Sequence, residues 1–240
     1  MRSEPPARDY RAQVAAIRRS RLHPRPTDHL YLHLRRLRDD LDAAIRGLPV
    51  RDVLDVYCGA RPYEPLFGAG VRYVGLDVDD AYGCADVVTD EFLPFPDESF
   101  DLCLCTQAFY FVPEPERAVA ELARVLRPGG HAVLTLPVVY PGTERLYAPV
   151  QLRELFAEWD DVRIVENGRT AVSIATLSAY FVHQVAKRLP HGVAPVFAVV
   201  YAALNAAGEA ADRLERRFLA SAESLPANLL VRATRPRPAA

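Results

Sequence analysis

The chain is poor in several residue types. Its 240 residues include one tryptophan, one methionine and a single lysine, Lys187, so nearly all of its positive charge is arginine. We attribute the scarcity of lysine to the codon use of a GC-rich genome in preference to a role in recognition. A net charge of -2 excludes a global attraction to nucleic acid or to an anionic membrane.

Cysteine is scarce, and its spacing argues against a metal site. The four cysteines form no CxxC pair and fall in or beside predicted strands (Cys58, Cys84, Cys103, Cys105). Free buried thiols are the expected state. Paired aspartates at 39–40, 79–80 and 160–161 sit at predicted helix surfaces and loop ends, where solvated acids explain them better than a divalent ion does.

Long apolar runs are also missing. No run reaches the length of a membrane-spanning helix, and the N-terminus lacks a signal-peptide core. These two absences predict a cytoplasmic protein. Residues 193–204 are almost wholly apolar but too short to cross a bilayer. We expect core packing for them, with a cover over an apolar substrate, a dimer face and a membrane surface as alternatives.

The most informative segment is VLDVYCGARPY at residues 53–63. A short apolar run containing Asp55 predicts a buried strand, the small residues of 58–60 predict a tight turn, and Pro62 suits the start of a helix over 62–68. About 20 residues later, VRYVGLDVDD predicts a second strand that ends in Asp77. That spacing is the one at which a carboxylate accepts hydrogen bonds from a ribose. The turn at 58–60 and the acidic end of the second strand together predict a site for a nucleotide-like ligand.

Strands and helices alternate over most of the chain. The predicted strands are 51–57, 71–77, 85–89, 99–107, 131–139, 161–165 and 228–234, and the predicted helices are 8–20, 28–47 (with Asp28 as cap), 62–68, 114–127, 150–159 and a pair within 171–224. This order predicts the α/β class, with a mostly parallel sheet covered on both faces. We divide it into a helical cap at 1–49, a core at 50–170, a helical insertion at 171–224 and a last strand and tail at 225–240.

Three segments in this order resemble the class I S-adenosylmethionine-dependent methyltransferases, especially their small-molecule branch. VLDVYCGARPY is similar to the glycine loop, YVGLDVD to the ribose-binding acidic motif, and residues 89–137 to the long signature through the fourth and fifth strands. The resemblance implies a Rossmann-like, seven-stranded, mostly parallel sheet and S-adenosylmethionine as cofactor.

The resemblance also implies roles for individual residues. The expected cofactor-binding residues are Asp55, Tyr57, Cys58, Gly59, Arg61, Asp77, Val78, Asp90, Glu91, Thr106 and Gln107. Asp55 would orient the methionine amino group, and Asp77 would accept from both ribose hydroxyls. Val78 would pack on the adenine and Asp90 would accept from its amine, with the Glu91 N–H as a second contact. Thr106 and Gln107 would lie beside the sulfonium.

Two stretches depart from the family pattern. Tyr57 and Arg61 stand where the first and third motif glycines are expected, and Arg61 is either a surface replacement or a partner of the cofactor carboxylate. Tyr110 and Phe111 replace a Glu-His pair that many relatives carry, so the acid or base of that pair is missing.

The acceptor side is predicted from the loop after the fifth strand and from the N-terminal segment. Glu144 and Tyr147 are candidate catalytic residues, together with His33 as a general base, although a core or surface histidine is the simpler explanation. The candidate substrate-binding residues are Tyr110, Tyr140 and Arg145. Ten arginines among the first 38 residues could attract RNA or a phosphorylated substrate, but a solvated helix face explains them better.

The predicted function is methyl transfer to a small molecule, with a sugar, a natural product or a lipid-linked molecule as acceptor and oxygen as the acceptor atom. The alternatives are a cyclase or isomerase with this fold that does not transfer methyl, and a non-catalytic binding protein. We expect no nucleic-acid partner, no metal and no transmembrane segment. Peripheral membrane contact stays open, as does the choice between monomer and homodimer.

Overall fold

The computed structural model describes residues 10–90, 92–139, 145–190 and 194–238. Within these residues seven strands form one sheet, and they are β1 (Asp52–Val56), β2 (Arg72–Asp77), β3 (Val87–Val88), β4 (Phe100–Thr106), β5 (Leu126–Pro137), β6 (Asp160–Asn167) and β7 (Asn228–Thr234). Their order across the sheet is β3-β2-β1-β4-β5-β7-β6. The Rossmann-like α/β fold predicted from the sequence is confirmed.

Parallel pairing brings the carboxyl ends of the central strands to one edge of the sheet. β1 pairs in parallel with β2 and β4, and β4 pairs in parallel with β5. Only β7 runs antiparallel to its neighbours, β5 and β6, among the strands that the structure describes. Open sheets of this type bind ligands outside the carboxyl ends of their strands, which here are the ends of β1, β2 and β4.

Six α-helices accompany the sheet over the described ranges, and they are α1 (Tyr10–Leu22), α2 (Tyr31–Ile45), α3 (Pro115–Val125), α4 (Pro149–Leu155), α5 (Thr170–Ala186) and α6 (Ala194–Phe218). Short 3-10 turns occur at Glu64–Leu66 and Phe109–Phe111. α5 and α6 form a pair that lies between β6 and β7 in the chain. The apolar stretch and the charged helix after it are therefore one 25-residue helix, α6.

The core has one part on each face of the sheet because successive strand residues point to opposite faces. In β1, Leu54 and Val56 pack with residues of α3 and α4, whereas Val53 packs with α2 through Leu37 and Leu41. Asp55 comes two residues after Val53 in β1, so it lies on the same face of the sheet, the face that α2 covers. This places a carboxylate inside the core, directly below the sheet edge that carries the site.

Two local predictions were wrong. No helix forms over 62–68, because Pro65 has no N–H to donate and its ring would clash with the carbonyl of Arg61, so only the 3-10 turn Glu64–Leu66 is present. Asp28 does not cap α2, which begins at Tyr31. Its side chain instead accepts the N–H of Arg25 at 2.7 Å and closes the turn before the helix.

Candidate functional site

The turn after β1 keeps a glycine-like backbone at positions that carry side chains. Tyr57, Gly59 and Arg61 all have positive φ, at 58°, 51° and 50°. This left-handed region costs a non-glycine residue about 1–2 kcal/mol. The conformation expected of the glycine loop is thus retained at Tyr57 and Arg61, with strain stored in the backbone at this edge.

Asp77 joins this turn to the end of β2. One carboxylate oxygen accepts the Gly59 N–H at 2.8 Å, and the other accepts the N–H of Val78 at 2.9 Å. Each carboxylate oxygen has two lone pairs, so both can accept one more hydrogen bond. The half-buried Asp77 therefore stands beside the turn with free acceptor capacity for two hydroxyl groups.

Asp55 is buried below the same turn, with only 2% of its surface exposed. One of its oxygens accepts the Tyr73 hydroxyl at 2.6 Å, and the other, Oδ1, has no hydrogen-bond partner among the described residues. Burial raises the pKa of Asp55 to about 7, although the Tyr73 hydroxyl and the Arg61 guanidinium oppose that shift. A buried carboxylate with an unpaired oxygen favours a cationic ligand group beside it.

Arg61 is not a surface residue, since its side chain is only 12% exposed. Its guanidinium contacts Asp86 at 2.9 Å and Glu64 at 3.4 Å, and it donates to the carbonyls of Tyr73 and Cys84. These contacts use both terminal nitrogens. The surface replacement is therefore wrong, because the side chain fastens the turn to β2. Its Nε is buried without a partner in the described part of the chain, and a contact with the cofactor carboxylate stays a prediction.

Gly75 in β2 makes room for this packing. A Cβ at Gly75 would lie 2.8 Å from the Cys58 sulfur and 3.3 Å from Cδ of Arg61. Burial raises the pKa of the Cys58 thiol, with Asp55 and Asp77 adding to the shift. A thiol held in its neutral form is a poor nucleophile, so Cys58 acts here as a packing residue.

Two cavities meet at Tyr57. The first, of about 160 Å³, is lined by Tyr57, Cys58, Gly59, Thr106 and Gln107 among the predicted residues. The second, of about 500 Å³, is lined by Tyr57, Asp90, Glu114 and Arg117 together with apolar residues. Tyr57 thus lines both cavities.

Gln107 places an unpaired polar atom at the first cavity. It follows β4 with φ of 56°, and its N–H donates to the carbonyl and the hydroxyl of Thr135 at 2.8 and 3.1 Å. Its amide nitrogen Nε2 is buried without a partner in the described part of the chain. An unpaired donor here and the unpaired acceptor of Asp55 both flank the turn after β1.

The structure describes only two of the three residues predicted to contact the adenine. Val78 follows Asp77 and is 55% exposed, and Asp90 is exposed at the second cavity beside the half-buried Phe92. Glu91 lies outside the described residues. The apolar part of this cavity comes from Phe92, Val112 and Ala118, and sequence reasoning had named none of these three.

Two of the predicted substrate-side residues, Arg145 and Tyr147, line a third cavity of about 620 Å³ together with Glu116, Glu154 and others. Arg145 donates to the carbonyls of Val112 and Pro113 at 3.0 and 3.3 Å, which ties it to the loop before α3. The rings of Tyr110 and Phe111 pack at a tilt of 37°, with their centroids 4.1 Å apart. Tyr140 and Glu144 lie outside the described residues.

His33 is buried in the core of the N-terminal helices and lines none of these cavities. Its Nδ1 lies 3.2 Å from the Asn228 amide nitrogen, which makes it the acceptor of that hydrogen bond. Burial lowers the pKa of His33 to about 3, and the charge of Arg21 lowers it further. So weak a base cannot take a proton efficiently near neutral pH, and the structure does not support His33 as general base.

Sequence reasoning missed the residues that α1 and β2 bring to the first cavity. Ile17, Arg21, Tyr63 and Tyr82 line it with the predicted turn. Tyr73 could have been found, because strand alternation puts it on the Asp55 face two residues before Gly75, the register partner of Asp55. Arg21 carried no signal, since its position depends on how α1 packs. Within the described ranges, no three His, Cys, Asp or Glu side chains are grouped to hold a metal ion.

The comparison with known sequences is informative for the central part of the chain. The methyltransferase domain family matches residues 54–134. A protein of Mycobacterium avium described as an uncharacterized methyltransferase is 40% identical over 115 residues, which cover 42% of this chain and 46% of that protein. A protein of the same description from Mycobacteroides abscessus is 36% identical over 111 residues, covering 40% and 42%. The matched part thus spans less than half the length of these relatives.

Solved structures share the fold over most of the chain. The cyclase SpnF aligns with a TM-score of 0.53 and 22% identity, covering 87% of this chain and 83% of its own. A SAM-dependent methyltransferase from Archaeoglobus fulgidus aligns with a TM-score of 0.50 and 14% identity, covering 82% and 93%. Identities this low show the fold alone. The match at residues 54–134 and the related sequences show that the central part of the chain is similar to the methyltransferase domain family.

Proposed function

We propose that the chain binds S-adenosylmethionine at the carboxyl ends of β1, β2 and β4 and transfers its methyl group to an oxygen atom of a small molecule. A sugar, a natural product and a lipid-linked molecule are the candidate acceptors. The observation that carries the proposal is the pair of unpaired buried atoms, Asp55 Oδ1 and Gln107 Nε2, beside the turn after β1.

These two atoms match the two charges of an amino-acid group. The ammonium of the methionine part would donate to Asp55, and its carboxylate would accept from Gln107. Arg21, which lines the same cavity, supplies a positive charge for that carboxylate. A buried polar atom without a partner costs about 1–3 kcal/mol, so a zwitterionic ligand that pairs both would bind favourably.

Asp77 and the second cavity fit the nucleoside. The two carboxylate oxygens of Asp77 retain lone pairs for the ribose hydroxyls, and their positions are fixed by the N–H groups of Gly59 and Val78. Phe92, Val112 and Ala118 offer an apolar lining for the adenine, with Asp90 at the rim. Tyr57 would then pack along the ligand between its two ends.

The reaction demands positioning more than acid or base chemistry from this chain. When bound, the sulfonium supplies an activated methyl group. The residues of the site would hold the acceptor in line with that methyl group, which is where most of the rate gain arises. Ile17 and Arg21 of α1 cover the first cavity and would exclude water. Arg145 and Tyr147 are the proposed acceptor-side residues, because they line a separate cavity that shares Pro113 with the nucleoside cavity.

Calorimetry on Asp77→Asn tests the assignment. The amide keeps the shape of the side chain but offers one acceptor oxygen instead of two, so affinity for S-adenosylmethionine should fall by about 1–3 kcal/mol. Asp97→Asn is the matched control. Asp97 lies in the loop before β4, at the amino end of that strand and away from the site, and its side chain pairs with Arg124. Equal affinity in the two variants would remove Asp77 from the site.

A second candidate is a reaction without methyl transfer, such as a cyclisation with the cofactor in a structural role. The ring of Tyr57 at the first glycine position favours it, and SpnF, a cyclase, has a similar fold. Product mass separates the two: a gain of one methylene supports transfer, and an isomer of unchanged mass supports the rival. Absence of any heat with S-adenosylmethionine would favour a non-catalytic binding protein. A cytoplasmic location stays a prediction.

A further inference from the structure

The outward face of α5 is apolar along its whole length. Ile174, Leu177, Phe181 and Val185 follow helical spacing and form one stripe, and each is between 39% and 69% exposed. The buried residues of α5 lie on the opposite side, at Val172, Ala175 and Ala179 among others. The helix is therefore apolar on both faces, and only one face is covered by the rest of the described chain.

α6 carries a second stripe of the same kind. Val196, Val199, Leu214 and Phe218 are between 58% and 70% exposed. Helical spacing places exposed alanines between them, and these are Ala203, Ala207 and Ala210. An apolar groove of about 460 Å³, lined by Ile174 from α5 and by Leu214 and Phe218 from α6, connects the two stripes. The pair thus presents one continuous apolar surface, here called the α5–α6 face.

The charges around the α5–α6 face are mainly basic, although Glu215 and the exposed Glu223 also line the groove. No acidic residue occurs between Glu166 and Glu209, a stretch that includes the exposed Lys187 and Arg188 at the end of α5. The carboxylates of α6 are turned inward: the side chains of Glu209, Asp212 and Glu215 are 19%, 1% and 11% exposed, and each forms an ion pair.

The arginines at the end of α6 are exposed, although Arg213 and Arg216 also pair with Glu209 and Asp212. The side chain of Arg213 is 75% exposed and that of Arg216 is 48% exposed, and Arg217 is also exposed. An apolar surface bordered by five exposed Lys and Arg side chains, with the acids of α6 in ion pairs and Glu223 as the exposed acid of the groove, complements a surface that is apolar inside and anionic outside.

We propose that the α5–α6 face binds the surface of an anionic lipid bilayer. The apolar stripes would enter the boundary between headgroups and acyl chains, and the basic side chains would pair with lipid phosphates. A helix with an apolar face and Lys or Arg at its borders binds membranes in this way. The proposal concerns binding alone and does not depend on the methyl-transfer proposal.

α6 lies on the bilayer in this arrangement instead of crossing it. By length and composition it could span a membrane. Its other face, however, is polar and fastened to the chain: the Asn205 amide donates to the carbonyls of Pro26 and Asp28 at 2.8 and 3.0 Å, and Asp212 pairs with Arg36 at 3.0 Å. Spanning would break these contacts and expose a buried carboxylate to hydrocarbon, which is strongly unfavourable.

A second copy of the chain is the weaker occupant. A two-fold pairing would use the same patch on both subunits and would bring two sets of exposed basic residues together, with Glu223 as the one exposed acid of the groove on each subunit. Repulsion between like charges opposes that contact. A bilayer that contains anionic lipid supplies the missing negative charge.

Vesicle co-sedimentation of the full chain tests the proposal. Wild type should bind vesicles of phosphatidylcholine mixed with phosphatidylglycerol and should bind pure phosphatidylcholine much less. Lys187→Gln with Arg188→Gln should weaken binding to the mixed vesicles by roughly thirtyfold at low salt, since each basic residue near the surface contributes about fivefold. Phe181→Ser with Phe218→Ser should reduce binding by tenfold or more, by the hydrophobic contribution of two rings.

The control is Val165→Ser, which removes an apolar side chain that is 40% exposed on β6. It should bind mixed vesicles as wild type does, and thermal unfolding should show that all variants are folded. Binding of folded wild type to neither vesicle would overturn the proposal, and so would equal binding by all variants. A dimer in light scattering that Phe181→Ser with Phe218→Ser converts to a monomer would assign the face to a second copy instead.

Discussion

At the residue scale, the site depends on polar atoms that the fold buries without giving them partners. Asp55 is held below the turn after β1 by the strand it belongs to, and the Tyr73 hydroxyl satisfies only one of its oxygens. Its protonation near neutral pH follows from burial. A ligand that brings an ammonium group to Oδ1 would stabilise the ionised form, so binding and deprotonation are coupled.

This coupling gives a pH-dependent prediction. The pKa of Asp55 is about 7 in the folded chain, so the carboxylate becomes ionised as the pH rises through that value. Affinity for S-adenosylmethionine should therefore increase between about pH 6 and about pH 7.5, below the pH at which an α-amino group loses its proton. Asp55→Asn should bind more weakly and without this increase. Calorimetry across this range measures it, and the same pH profile in both proteins would exclude Asp55 as the cause.

The sequence predicted the position of a side chain correctly where that residue lies at the end of a strand. Asp77 and Gly59 were expected together, and a hydrogen bond of 2.8 Å joins them. Their contact with a cofactor stays a prediction. Arg61 was misjudged because its sequence neighbours do not reveal Asp86 and the carbonyl of Tyr73, which become its partners only when β2 folds beside the turn.

At the element scale, close helix packing in the α5–α6 pair depends on Gly208. A Cβ there would lie 2.4 Å from Cβ of Ala175 in α5 and 2.8 Å from a methyl carbon of Leu32 in α2. Contacts this short force the helices apart. The glycine lowers the helix propensity of α6, and close packing of three helices offsets that loss.

Gly208→Ala should therefore destabilise the chain although alanine favours helix formation. Overpacking of this kind costs about 1–3 kcal/mol, against a propensity gain of about 1 kcal/mol. Chemical denaturation measures the change in the free energy of unfolding. Adding Ala175→Gly removes the shorter of the two contacts and should restore part of the stability lost. A stabilised single variant would show that the helices are farther apart than described.

The elements themselves were largely predictable, because apolar runs and helical periodicity reflect burial. The strand over 99–107 was expected and is present as Phe100–Thr106, and the helix over 114–127 is present as Pro115–Val125. The helix over 62–68 failed because Pro65 removes a donor that the pattern of apolar residues does not reveal. The helical pair expected within 171–224 is present as Thr170–Ala186 and Ala194–Phe218.

At the scale of the whole molecule, buried histidines make stability sensitive to acid. His29 stacks on His183 with ring centroids 3.7 Å apart, and burial together with the charge of His183 lowers its pKa to about 4. His33 has a pKa lowered to about 3 by burial. In the unfolded chain both take up protons near pH 6.5, so the unfolded state binds more protons below that pH.

The free energy of unfolding should therefore fall as the pH decreases from about 6.5 toward about 4. His33 contributes a slope near 1.4 kcal/mol per pH unit wherever it is protonated in the unfolded chain and neutral in the folded chain. Asp55, whose pKa burial raises to about 7, opposes this trend over the same range, and Asp40, whose pKa burial also raises, adds to the opposition. The fall in stability therefore depends on the two histidines together outweighing these carboxylates. His33→Asn, which keeps an acceptor for the Asn228 amide, should reduce the slope. His23→Asn, at an exposed position, should leave it unchanged. Equal slopes in wild type and His33→Asn would contradict the account.

The measurement that tests the central claim most directly is a crystal structure of the chain with S-adenosylhomocysteine. The account predicts the ribose hydroxyls within hydrogen-bond distance of Asp77, the amino group beside Asp55 Oδ1 and the carboxylate near Gln107 and Arg21, with the Tyr57 ring packed along the ligand. A crevice that stays empty at saturating ligand, with the Tyr57 ring closing it, would contradict the account.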